Sequence, residues 1–228
     1  MAPADCRQLV LVGGGGKTTT LYALAKEARD AGRTVLVTTT THILPHPRLA
    51  LAEDPAQAAG LLAAAGIAAL GRREPSGKLS GVPTDYKALA DVVLSEGDGA
   101  KMLPLKAPAD HEPVIPAGTD AVIAVAGLDA VGRTIGESCH RPERVCALLD
   151  KPPEHVLGPG DVAELLASPF GGRKSVGEAM AFRCLLNKAD DPQRRAWAGE
   201  IRTLLAARGI PAAVHHYAEE ERGGLCWF

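Results

Sequence analysis

Apolar runs of strand length alternate with stretches of helical spacing along most of this chain. Residues 9–12 form a short apolar run, and residues 18–31 place Leu21, Leu24, Ala25 and Ala28 on one helical face, with Gly32 as the stop. Residues 34–38 read as a second strand running into Thr38, Thr39, Thr40, Thr41 and His42, and two prolines make 43–47 a loop. Asp54-Pro55 opens an alanine-rich helix stopped by Gly66, residues 67–70 form a short strand, and 75–83 is a loop bearing proline and glycine. Strands follow at 92–95 and 121–125, then helices opened by Pro142 and Asp161 that reach Leu149 and Ala167. Residues 182–186 form a buried strand, Asp191-Pro192 opens a helix to about Arg208, and 212–216 form a last strand. This alternation predicts a mostly parallel sheet covered on both faces.

The turn between the first strand and the first helix carries the most chemistry. Gly13, Gly14, Gly15 and Gly16 have no side chains, so the backbone can turn N–H groups toward phosphate oxygens, and the helix that follows adds its positive dipole end. Lys17 would reach the outer phosphates, the Thr18 hydroxyl would join a Mg²⁺ shell, and Thr19 belongs to the same cradle. The spacing is G-x-x-G-K-T, because Leu11 stands where the longer P-loop would begin; the short form resembles the loop of Mur-type ligases and wraps phosphates less. The fold class expected is α/β, a P-loop NTPase-like three-layer sandwich. It would be a single nucleotide-binding domain over 1–228, with a small insertion after the second strand at about 43–85.

Asn187-Lys188-Ala189-Asp190 stands at the carboxyl end of a predicted strand, where α/β sheets bind ligands. In GTPases the same tetrapeptide reads guanine. Asp190 would accept from the ring N–H and the amino group, Asn187 would hold base and loop, and the Lys188 stem would pack on the ring. Adenine offers an acceptor at that ring nitrogen and no such amino group, so GTP is favoured over ATP; the plain alternative is a helix cap. Glu96 and Asp98 follow the strand at 92–95, where an acid can hold a Mg²⁺-bound water, and Gly99 completes the spacing of a mobile strand-end turn. Lys17, Glu96 and Asp98 are thus the candidate catalytic set, and Thr18, Glu96 and Asp98 the candidate Mg²⁺ set.

At 228 residues the chain suits one α/β domain with an insertion. Hydrophobic content of 46% supports a substantial core, and only 4% aromatic content leaves its packing to aliphatic residues and close backbone approach. A net charge of −2 gives no reason to expect nucleic acid or an anionic membrane as partner. The glycine loop starts at residue 13, and no apolar run is long enough to span a bilayer, so the cytoplasm is the expected compartment. Cys6, Cys139, Cys146, Cys184 and Cys226 are odd in number without CxxC spacing, and are read as reduced thiols with no metal site.

Taken together, residues 12–20, 38–42, the block 96–116, Gly127-Leu128-Asp129, His140-Arg141-Pro142-Glu143 and 187–190 resemble the YqeC family, described as selenium-dependent hydroxylase accessory proteins. The resemblance covers nearly the full length and is most specific in the block that runs through Leu103-Pro104-Leu105-Lys106 to Pro116. It departs at Gly97 and Met102, where the family pattern has Ala and Arg. It implies a P-loop NTPase associated with maturation of molybdenum-dependent hydroxylases, handling selenium or the molybdenum cofactor.

The central block crowds Lys101, Lys106, Asp110, His111 and Glu112 into a proline-rich stretch, read as a loop that changes shape with the γ-phosphate and presents polar groups to a substrate or partner. Thr40 or Thr41 is a candidate switch threonine beside His42, and His140-Arg141 suits an anion such as a phosphate. His42, His111 and His140 lack the close spacing of a transition-metal site. The leading expectation is an Mg²⁺-dependent GTP-binding GTPase serving as accessory protein to a molybdenum hydroxylase or its cofactor-maturation machinery. The alternatives are an ATP-dependent kinase or ligase acting on a small molecule or cofactor, and a non-hydrolysing nucleotide-binding chaperone. A homodimer is a further partner arrangement that fits P-loop proteins of this sort.

Overall fold

A computed structural model describes residues 6–45 and 49–216; Pro47 of the expected loop and Cys226 lie outside them. The chain begins with β1 (Gln8–Gly13), α1 (Lys17–Asp30), β2 (Val35–Thr39), β3 (Leu51–Ala52), α2 (Pro55–Ala65) and β4 (Ile67–Leu70). A small antiparallel pair, β5 (Arg72–Arg73) and β6 (Leu79–Ser80), precedes β7 (Val92–Glu96), β8 (Leu105–Lys106) and β9 (Ala121–Gly127). There follow α3 (Ile135–Ser138), β10 (Cys139–His140), α4 (Pro142–Leu149), α5 (Pro159–Ala167), β11 (Ala181–Asn187), α6 (Pro192–Ala206) and β12 (Ala212–Val214).

Local chemistry accounts for the best-defined ends. The Asp54 carboxylate accepts from the Gln57 N–H, Pro55 fills the first helical position, and Gly66 ends α2 in the left-handed region at φ 71. The Asp191 carboxylate and Pro192 repeat the device at the start of α6. α5 starts at Pro159, earlier than expected, because Asp161 lies inside its first turn and accepts the Gly158 N–H at 2.8 Å.

Eight strands make one sheet in the order β12-β11-β9-β1-β7-β2-β4-β3. Every pairing in it is parallel, so the sheet is wholly rather than mostly parallel. Side-chain alternation splits its core in two. Leu9 and Leu11 of β1 pack with Leu21, Tyr22 and Ala25 of α1, whereas Val10 and Val12 face the cluster containing Leu165 of α5 and Ile201 of α6. Further along that second face, Leu36 and Val93 pack with Ala58 and Leu62 of α2. The result is a three-layer α/β sandwich. β3 and β4, from the segment read as an insertion, extend the sheet beyond β2.

The winding changes direction at β1. The chain leaves through α1 to β2, then returns to place β7 on one side of β1 and β9 on the other. The carboxyl ends of β7, β1, β9 and β11 therefore converge on one crevice, the place where open parallel sheets bind ligands. No helix among the described residues is long and apolar enough to cross a membrane.

Candidate functional site

The glycine loop spans the gap between β1 and α1 and is pressed from both sides. A Cβ on Gly15, at φ +77, would stand 2.2 Å from the Gly127 nitrogen, and one on Gly16, at φ +122, would stand 2.3 Å from Asn187 Nδ2. The first three loop N–H groups are used internally. Gly13 donates to both oxygens of Asp98 at 3.1 and 3.2 Å, Gly14 to the Val125 carbonyl at 2.9 Å, and Gly15 to the Leu103 carbonyl at 3.1 Å. A phosphate reaching this loop would find those three N–H groups taken, leaving Lys17 and the first turn of α1 to meet it.

Lys17 is buried at 5% exposure, with Nζ 2.6 Å from the Gly13 carbonyl, 3.4 Å from Glu96 Oε1 and 3.3 Å from Asp98 Oδ1. Thr18 donates its hydroxyl to Glu96 Oε2 at 3.0 Å. Parallel pairing of β1 with β7 sets this contact, since Leu11 lies opposite Glu96 and the loop begins two residues later. Burial pushes the Glu96 carboxyl above its ordinary value, against the opposing pull of Lys17 and the Thr18 hydrogen bond.

The charges continue inward. Lys106 Nζ, on a side chain 1% exposed, lies 3.1 Å from Asp98 Oδ2 and 2.6 Å from Glu112 Oε2, and donates to the Gly99 carbonyl at 2.6 Å. Arg141 grips Glu112 from the other side with Nη1 at 2.6 Å and Nη2 at 3.1 Å. A row of alternating sign thus runs Lys17, Asp98, Lys106, Glu112, Arg141. Part of the proline-rich block is built into the fold: β8 pairs with β10, setting Lys106 beside His140, and Leu105, Lys106 and Ala107 are buried. An anion arriving at Arg141 would compete with a carboxylate already in place. His140 is partly buried, which lowers its imidazole pKa, and neighbouring Arg141, Lys106 and Lys101 lower it further.

Burial by itself would push the Glu112 carboxyl up, but the hydrogen bonds from Lys106 and Arg141 prevail and hold it down at about 2, against 4.5 ordinarily. Its folded-state pKa is depressed, so its stabilising contribution is full above about pH 4.5 and is lost as pH falls through about 2. In urea titrations across that window, Glu112→Gln is expected to flatten the acid loss. At neutral pH the same variant should cost about 3 kcal/mol, because Lys106 and Arg141 lose their shared partner.

The remaining candidates are distributed around this centre. Thr40 donates its hydroxyl to the Val114 carbonyl at 2.7 Å, Thr41 donates its N–H to Thr39 Oγ1 at 3.0 Å, and His42 Nδ1 lies 2.9 Å from Glu74 Oε2. Asp110 pairs with Arg144 at 2.8 and 3.0 Å on the surface; Lys101 and His111 are exposed. Cys139 is buried, which pushes its thiol up to about 11 and keeps it protonated at neutral pH. A Cβ on Gly97 would stand 2.7 Å from Val10 Cγ1, and Met102 is 98% exposed.

On the opposite flank, Asn187 donates Nδ2 to the Gly15 carbonyl at 2.9 Å, across 172 residues of sequence. The residue is 3% exposed, and its Oδ1 has no hydrogen-bond partner among the described residues. Between them the two motifs bound a pocket of about 380 Å³, lined by Gly16, Thr19, Asp129, Asn187, Lys188, Asp190 and Arg194. Lys188, at φ 64, places Nζ 2.6 Å from Asp129 Oδ2, and Arg194 Nη1 lies 3.1 Å from Asp190 Oδ2. Asp129 and Arg194 were not among the candidates. Asp129 follows β9 at the same sheet edge as Glu96 and Asn187, which was its available signal; Arg194 is one helical turn beyond Asp190.

A family model described as YqeC protein matches residues 9–143, from β1 into the first turn of α4. The chain belongs to the YqeC family. It is 35% identical over 190 residues to Uncharacterized protein YqeC of Escherichia coli (strain K12), an alignment that covers 78% of this chain and 74% of the other. The YqeC match takes in the glycine loop, Glu96, Asp98, Lys106, Glu112 and Arg141, hence the whole row of alternating charges, and ends before Asn187.

Proposed function

We propose that this YqeC-family chain binds GTP with Mg²⁺ and hydrolyses it. The observation that carries the reading is the hydrogen bond from Asn187 Nδ2 to the Gly15 carbonyl, which joins the guanine-type tetrapeptide to the phosphate loop along one pocket. A solitary helix cap at 187–190 would have no cause to reach the glycine loop. In this reading Lys17 and the first-turn N–H groups of α1 meet the phosphates, while Asp190 and Asn187 meet the base.

The donor set fits Mg²⁺. Glu96, Asp98 and the Thr18 hydroxyl offer the few oxygen ligands this ion takes from a protein when phosphates and water complete its shell. Bound there, Mg²⁺ would neutralise charge on the β- and γ-phosphate oxygens. Lys17, already turned toward both carboxylates, would move to the phosphate as negative charge arrives, and Glu96 or Asp98 would orient the attacking water. The role as accessory to maturation of a molybdenum hydroxylase is drawn from the family resemblance. In the alternative phosphotransferase reading, Asp98, a second carboxylate beside Lys17, would be the group to accept a proton from an acceptor hydroxyl.

Phosphate release from GTP, measured with and without Mg²⁺ and with the partner hydroxylase present, tests the proposal. Free phosphate formed only with Mg²⁺, and lost in Glu96→Gln while binding persists, is the expected result. A phosphorylated small molecule in place of free phosphate would support the kinase reading; release indifferent to Mg²⁺ and Glu96 would contradict both.

A further inference from the structure

Arg194 belongs to the base pocket, yet the reading above gives it no work. Its guanidinium is fixed by three acceptors: Nη1 lies 3.1 Å from Asp190 Oδ2 and 3.5 Å from the Lys188 carbonyl, and Nε lies 3.3 Å from Asp191 Oδ2. Asp191 also accepts the Arg194 backbone N–H at 2.8 Å, so the residue that caps α6 anchors the arginine twice. An i,i+4 ion pair on an open helix face does little. This one forms a wall of the pocket beside Asn187 and Lys188, with the arginine side chain 29% exposed.

We infer that Arg194 is a positioning residue for purine recognition, which orients the Asp190 carboxylate to read two donors of the base rather than one. The inference rests on the guanine reading and deepens it. A carboxylate swings about two bonds, whereas the guanine edge presents its ring N–H and 2-amino group as two parallel donors in one plane. A guanidinium on Oδ2 sets the plane of the carboxylate, and each carboxylate oxygen has lone pairs for a second donor. Asp129 does the matching work for Lys188, holding Nζ at 2.6 Å. Specificity in this pocket therefore comes from charged pairs set before the ligand arrives.

Inosine triphosphate isolates the effect, because it keeps the ring N–H and lacks the 2-amino group. Wild-type protein, Arg194→Ala, Arg194→Lys, Asp190→Asn and the double variant Asp190→Asn/Arg194→Ala are titrated with GTP, inosine triphosphate and ATP in Mg²⁺, with circular dichroism as a check on folding. Wild type should favour GTP over inosine triphosphate by about tenfold, the worth of one charge-assisted hydrogen bond. Arg194→Ala should bring that ratio to within about twofold with inosine triphosphate affinity nearly kept, Arg194→Lys should recover part of it, and Arg194→Ala should add nothing once Asp190 is changed. Equal losses for GTP and inosine triphosphate, or an unchanged ratio in a wild type that prefers GTP, would overturn the positioning role alone. A wild type with no preference for GTP over ATP would overturn the guanine reading, and the inference with it.

Discussion

Lys17→Ala is expected to lower nucleotide affinity by on the order of 10²–10³-fold, the usual result of truncating one member of a desolvated charge pair. In the proposed function Lys17 would carry an unusual share of the phosphate charge, because the N–H groups of Gly13, Gly14 and Gly15 are turned to Asp98, Val125 and Leu103. The variant should also lose about 3 kcal/mol of stability, since Glu96 and Asp98 stay buried while the cation between them is gone. Lys106 still serves Asp98 at 3.1 Å, so Glu96 bears most of that cost. Pairing Lys17→Ala with Glu96→Gln separates the two effects. Thermal denaturation should show stability largely recovered in the double variant, and titration should show binding still lost. Recovery of binding with stability would place the lysine in the fold and outside the ligand site.

Asp190→Asn is expected to weaken GTP by about 10²-fold or more and to leave ATP unchanged. The asparagine amide would turn a donor toward the guanine amino group, whereas xanthine presents a carbonyl oxygen at that position, so xanthosine triphosphate should become the better ligand. Stability should barely move: Asp190 is on the surface, and its pair with Arg194 is the sort worth roughly 0.3–0.5 kcal/mol. A variant that folds normally and exchanges its base preference assigns the effect to recognition. Unchanged GTP affinity would make the tetrapeptide a structural turn between β11 and α6.

Both residues stand out in the sequence because their neighbours do the explaining locally. A strand, four glycines and a helix made the Gly13–Thr18 turn legible, and Asp54-Pro55 with Gly66 marked both ends of α2, which runs between them as expected. The same holds for Asp191-Pro192 at α6. What escaped notice depends on contacts distant in sequence. Lys106 sits among prolines and charges and reads as part of a loop that presents polar groups, yet it is buried because Asp98, Glu112 and β10 close over it. Strands β3, β8 and β10 are two residues long, too short for any period to show. Arg141 looked open to an anion until Glu112, 29 residues earlier, was found in its fork. Asp129 and Arg194 became visible only once β9, β11 and α6 were packed around one pocket.

The central claim is that the two ends of the chain build one guanine-nucleotide site. Calorimetric titration of the wild-type protein with GTP and ATP analogues in Mg²⁺ tests it most directly. The account predicts single-site binding with GTP favoured by at least about 10²-fold, the worth of two charge-assisted hydrogen bonds to the Asp190 carboxylate. Equal affinity for the two, or preference for ATP, would contradict it and leave Asn187-Lys188-Ala189-Asp190 a structural turn between β11 and α6.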